Sequence, residues 1–236
     1  MTRKVLHMSR LILAGAAALG LAAGAAFWLS DARAPAPDTA LALPGAANAQ
    51  EADAESGGEA PEITEMTMGP DDAPLTFIEY ASFTCPHCAS FHQDQFKKLK
   101  TDYIDTGKIR FVYRDVYFDR FGLWASMVAR CGGEGRFFGI TDMIYEQQKD
   151  WIAGGDPVQI ANNLRRIGKV AGLEPDTIEA CLNDEAKAKA LVAWFQENAE
   201  EDNVNSTPTL IIGGETYSNM AYDELSSIID EKLAGE

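Results

Sequence analysis

Residues 85–88 read Cys-Pro-His-Cys, at the point where an apolar, β-branched run gives way to a helical repeat. This junction constrains the fold more than any other stretch. Ahead of it, "APLTFIEYASF" (73–83) predicts a strand. Behind it, Cys88, Phe91, Gln95, Leu99 and Tyr103 recur every three to four residues, with apolar neighbours at Phe96 and Ile104, and predict a helix that closes near Gly107. "KIRFVYRDVYF" (108–118) predicts a second strand. Strand, helix and strand with short connections form a βαβ unit with a right-handed crossover and parallel strands.

No strand signal appears between about 119 and 202; apolar residues recur there at helical spacing in blocks separated by "CGGEG", "AGGDP", "AGLEP" and "LND". This span, 119–202, reads as an all-helical insertion of four or five helices. "TPTLIIGGETYS" then predicts an antiparallel hairpin around a Gly213-Gly214 turn. A last helix follows, with Tyr222, Leu225, Ile229 and Leu233 on one face. The chain is therefore α/β, its sheet assembled from 63–118 and 203–236.

The first thirty residues differ in kind. Arg3, Lys4 and Arg10 precede "LILAGAAALGLAAGAAFWLS", which carries no charge, so residues 1–32 read as a signal peptide cut after Ala32, or as an N-terminal membrane anchor over 11–30. Basic residues ahead of the apolar run keep that end inside, and the remainder is exported to the periplasm in either case. Residues 33–62 are Ala, Pro, Gly and Glu with almost no aromatic or β-branched side chain, and read as a flexible linker. A formal net charge of −16 argues against nucleic acid as a partner, because phosphate neutralisation needs clustered Lys and Arg.

The chain has four cysteines. Outside the cytosol thiols tend to pair, and the favoured connectivity joins Cys85 to Cys88 as a redox-active disulfide and Cys131 to Cys181 as a structural one inside the insertion. A thiol at a helix N-terminus meets unpaired backbone N–H groups and the positive end of the helix dipole, which favour its thiolate. That makes Cys85 the candidate nucleophile. Cys88 lies one turn later, partly covered. Pro86 suits the first turn, and the His87 imidazole between the sulfurs is positioned to donate to a thiolate and to attract it when protonated. The competing reading is half of a zinc site, with His92 as a third ligand. Structural zinc usually takes four protein ligands, and no second CxxC or HxxxH exists. His92 is placed on the helix surface. Glu79, six residues before Cys85, is an acid out of place in a strand covered on both faces.

"FIEYASFTCPHCASFH", the helical insertion and "STPTLII" together resemble the DsbA family of exported thiol:disulfide oxidoreductases over residues 63–236. The resemblance implies a thioredoxin fold with an inserted helical domain and a cis peptide between Thr207 and Pro208, facing the cysteines and holding substrate backbone. It implies that Glu79 is buried beneath the disulfide and moves the proton of the inner thiol. Reduced exported polypeptides would be the substrates and a quinone-linked membrane oxidase the reoxidising partner, with no cofactor and no metal. Thr207 departs from the Val of well-known oxidases of the family, and isomerase or reductase relatives often carry Thr; a disulfide isomerase or reductase is therefore the alternative. Residues 33–62 are too short and polar for the dimerisation domain of such isomerases, so a monomer is expected. A copper- or zinc-binding protein without turnover, ligated by Cys85 and Cys88 with or without His92, is the alternative from another class.

Overall fold

The computed structural model of the chain describes residues 60–235. The expected signal peptide or anchor, and nearly all of the expected linker, lie outside them. Among the described residues no helix is long and apolar enough to cross a membrane.

Five strands form one sheet in the order β1-β3-β2-β4-β5. They are β1 (Met66–Met68), β2 (Leu75–Ala81), β3 (Ile109–Asp115), β4 (Thr209–Ile212) and β5 (Glu215–Ser218). The pair β2–β3 is parallel, as a βαβ unit requires, and the other pairs are antiparallel. Strand β1 carries no readable signal, because three residues are too few to show alternation. It is ended by Gly69 at φ 88°, where an added Cβ would stand 2.3 Å from the Ile109 carbonyl oxygen, so only glycine fits. Gly213 and Gly214 both take positive φ, 55° and 80°, which a two-residue hairpin of this twist demands.

The central strand decides the layering. Leu75, Phe77 and Ala81 of β2 enter one large buried cluster, while Tyr80 enters a second on the opposite face. Glu79 points to the same face as the first set and pairs in register with Tyr113 of β3 and Leu210 of β4, at the middle of the sheet.

The helix after the motif runs from α1 (Pro86–Phe91) through a π-helical turn (His92–Phe96), α2 (Lys97–Leu99) and a second π-helical turn (Lys100–Ile104). Six further helices span the expected insertion: α3 (Arg120–Cys131), α4 (Glu134–Glu146), the single turn α5 (Gln148–Trp151), α6 (Pro157–Val170), α7 (Pro175–Leu182) and α8 (Glu185–Glu201). Aspartates start three of them: Asp119 accepts from the Phe121 and Gly122 amides, Asp156 from Gln159 and Asp184 from Lys187. The C-terminal helix is α9 (Tyr222–Ala234), with Leu225 and Ile229 buried.

Insertion and sheet share one apolar core. Phe137, Ile144, Tyr145 and Trp151 belong to the same cluster as Phe77 and Phe111. Each large side chain so buried contributes about 1.5–3 kcal/mol. The Trp151 indole N–H donates to the Ile144 carbonyl at 2.9 Å, so its polar edge is satisfied. On the other face α8 lays Phe195 against Tyr80, Val116 and Ile211. Arg130 at the end of α3 reaches Asp115 at the end of β3 at 2.7 Å, both nearly sealed from water. The next residue, Cys131, is bonded to Cys181 of α7, with Cα atoms 5.9 Å apart.

That bond closes a separation of 50 residues, worth about 4 kcal/mol by chain entropy. Replacing both Cys131 and Cys181 with Ala should lower the melting temperature while thiol exchange at Cys85 continues. A variant that stays folded yet loses exchange would make this pair part of the chemistry.

Candidate active site

Cys85 is the N-cap of α1, with extended backbone (φ −82°, ψ 118°), and Pro86 fills the first helical turn where no amide is needed. The chain enters through a turn in which the Cys85 amide donates to the Ser82 carbonyl at 3.0 Å. Gln148 of α5 clamps that turn, its side-chain amide donating to the carbonyls of Phe83 (2.8 Å) and Cys85 (2.9 Å). Thr84 is tied by its hydroxyl to Asp119, the cap of α3, at 2.8 Å. The insertion thus fixes the backbone from which the first sulfur projects.

Both motif sulfurs are free thiols, so the disulfide expected between Cys85 and Cys88 is open and the structure holds the dithiol state of the pair. Their environments differ sharply. Cys85 keeps 8% of its surface exposed, and Cys88 none. The Cys85 pKa falls from 9.0 to about 5, chiefly because the Cys88 thiol donates to its sulfur. Burial opposes this, while the Thr207 side chain and the amides of Cys88 and His87 add to it. The Cys88 thiol moves far up, first through burial, then through its own bond to Cys85 and the nearby charge of Glu79. One sulfur is built to be a thiolate and the other to keep its proton.

The Thr207-Pro208 peptide is cis, and the Thr207 carbonyl oxygen lies 3.5 Å from the Cys85 sulfur. His87 and Pro86 are exposed. Among the described residues the His87 imidazole has no hydrogen-bond partner; what position 87 supplies to the Cys85 sulfur is its backbone amide.

Glu79 is fully buried, and its Oε2 lies 3.0 Å from Nε2 of His92. This corrects the surface position expected for His92, which is only 1% exposed. His92 stands four residues after Cys88 and four before Phe96, in phase with the buried stripe, and the π-helical turn it begins keeps it on that face. Its polarity pointed outward, but a carboxylate from β2 satisfies it inside. Two further residues of the site carried no sequence signal. Gln148 looks like any polar helix residue, and Tyr145 stacks on the His92 ring at 4.2 Å while its hydroxyl bonds that of Tyr113 at 2.7 Å. Among the described residues no three His, Cys, Asp or Glu side chains converge as metal ligands.

Comparison with known proteins agrees with this geometry. The sequence profile of a family described as thioredoxin matches residues 62–231. A Rickettsia bellii protein inferred to be a protein-disulfide oxidoreductase is 32% identical over 170 residues, 72% of this chain and 64% of that protein. The chain therefore spans less than two thirds of that relative's own length. Disulfide bond formation protein D of Bacillus subtilis is 28% identical over 181 residues, covering 73% of this chain and 78% of its own. Among solved structures, Wolbachia pipientis alpha-DsbA1 superposes with a TM-score of 0.67 at 25% identity, over 74% of this chain and 94% of its own. A protein-disulfide isomerase from Novosphingobium aromaticivorans gives 0.65 at 25% identity, over 72% and 97%.

A folded-state pKa below the unfolded value means that the Cys85 thiolate stabilises the reduced fold fully above pH 9.0, and that this contribution is lost as pH falls through about 5. Thiolate ultraviolet absorbance of the reduced protein should therefore titrate near 5, and Cys88→Ala, which removes the main donor, should move the midpoint up. His87→Ser leaves every backbone donor in place, so its midpoint should stay below 9.0. A wild-type midpoint at the ordinary thiol value would contradict the assignment.

Proposed function

The chain belongs to the DsbA family of the thioredoxin superfamily, and on that premise we propose that it is a thiol:disulfide oxidoreductase that introduces disulfide bonds into exported proteins. The observation that carries this reading is the opposed treatment of the two sulfurs, with Cys85 lowered and Cys88 raised. The donors to Cys85 act only when it is reduced. Whatever stabilises the reduced dithiol makes the disulfide a stronger oxidant.

In the oxidised protein a substrate thiolate attacks the Cys85 sulfur, and the electron pair of the S–S bond leaves on Cys88. A mixed disulfide then joins substrate to Cys85. A second substrate thiolate attacks the substrate sulfur, Cys85 leaves as its stabilised thiolate, and the substrate departs as a disulfide. Two electrons pass from substrate to the Cys85–Cys88 pair. Only the 8%-exposed Cys85 meets solvent, which makes it the point of attack and Cys88 the internal leaving group. The Thr207-Pro208 segment beside it is suited to receive extended substrate backbone as a short strand addition. The signal peptide or membrane anchor read in residues 1–32 supports a periplasmic site of action, where a quinone-linked membrane oxidase would accept the electrons.

Thr207 supports a second reading, isomerisation of wrong disulfides, since this residue bears directly on the Cys85 sulfur. The two readings separate on one client. Cys88→Ala should trap mixed disulfides through Cys85, and Cys85→Ala should trap none. The wild type should oxidise a fully reduced client much faster than it rearranges a scrambled one. Faster rearrangement would make the protein an isomerase, and equal trapping by both variants would remove the nucleophile assignment.

A further inference from the structure

Every turnover leaves a problem at Cys88. Its sulfur is created as a thiolate in a place with no access to water, and it must gain a proton there or lose one when it attacks. The Glu79 carboxylate acts on this sulfur electrostatically. Glu79 is not alone: its Oε2 shares a 3.0 Å hydrogen bond with Nε2 of His92, and both residues are sealed. Each keeps a second polar atom, Oε1 of Glu79 and Nδ1 of His92, without a partner among the described residues. Buried polar atoms without a partner are costly to desolvate, so the pair is expensive as a mere structural contact.

We propose that His92 is the positioning residue of a buried proton site, holding with Glu79 one shared proton that passes to Cys88 when this sulfur leaves and returns when it attacks. This rests on the redox reading of the dithiol. The electrostatics favour a pair over a lone acid. Carboxylate with imidazolium, and carboxylic acid with neutral imidazole, both carry zero net charge, so the proton can sit on either partner without burying a bare charge. When Cys88 leaves, thiolate plus protonated pair becomes thiol plus deprotonated pair, and the total charge of the dry cluster is unchanged. When Cys88 attacks a mixed disulfide on Cys85, its proton goes to the pair and the expelled thiolate leaves through the exposed side.

Among the described residues the titratable neighbours of the pair are otherwise engaged. Tyr113 of β3 and Tyr145 of α4 face the pair, but burial pushes both phenols well above their ordinary range and their hydroxyls bond each other. Asp115, farther along β3, is engaged by Arg130. Tyr145 stacks on the His92 ring and Phe96 lies on it at 4.6 Å, which fixes the imidazole plane against Glu79.

The test is stopped-flow oxidation of the reduced protein at saturating oxidised glutathione, where attack by Cys88 on the Cys85–glutathione mixed disulfide limits the rate. His92→Gln keeps size and an N–H donor to Glu79 but cannot hold the proton. It should slow this step at least about tenfold, short of losing a whole acid–base group, and move the pH midpoint of the rate upward. The Cys85 titration should stay where it was. Glu79→Gln should give a similar change, and the double variant little more, since both remove one carrier. His92→Phe, which keeps the stacking, should resemble His92→Gln; if it does not fold, the Gln variant decides. An unchanged pH profile, or additive losses in the double variant, would reduce the pair to packing. A wild type that forms no glutathione mixed disulfide would instead overturn the redox reading itself.

Discussion

The site depends on one sulfur placed at the first turn of a helix. At the N-cap, Cys85 faces backbone amides that the helix leaves unpaired, here those of His87 and Cys88, and it receives the thiol of Cys88 one turn on. The rest of the fold secures that placement. The parallel pair β2–β3 sets where the helix starts, Gln148 and Asp119 reach from the helical layer to hold the entering turn, and the Thr207-Pro208 segment closes the open side. A helical insertion that shares its core with the sheet is a rigid frame for this, because neither layer can shift without opening the other.

The sequestration of Cys88 has a counterpart in the buried Glu79–His92 pair. A sealed thiol is a poor thiolate, and it cannot trade protons with water. On the proposal above, the hydrogen-bonded Glu79–His92 pair in the neighbouring strand and helix would supply that exchange.

The α/β class, the parallel unit, the hairpin and the helical span were legible because their signals are local: an apolar, β-branched run in β2, period near 3.6 after Cys88, paired glycines at 213 and 214, and glycine or proline breaks between most of the helices. The motif sulfurs were legible for the same reason, lying at a junction of two local patterns. Glu79 stood out as an acid among apolar strand residues. What could not be read was how polar side chains find one another across the fold. His92 and Glu79 are 13 residues apart and meet only because β2 lies under the helix. Gln148 reaches back more than sixty residues to the Phe83 and Cys85 carbonyls, and nothing in its own neighbourhood marks it. The four-residue helix α5 and the three-residue strand β1 escape a pattern search because neither is long enough to repeat the period it would have to display.

The central claim is that the reduced state is favoured by interactions built around the Cys85 sulfur. The most direct measurement compares the unfolding free energies of the dithiol and disulfide forms of the same protein at neutral pH. By linkage, a dithiol more stable than the disulfide is the thermodynamic equivalent of an oxidising site. The account predicts that the dithiol form unfolds at the higher temperature and denaturant concentration, with the gap closing as the pH is lowered toward about 5, where the Cys85 thiolate takes up its proton. A disulfide form that is the more stable of the two at neutral pH would contradict it.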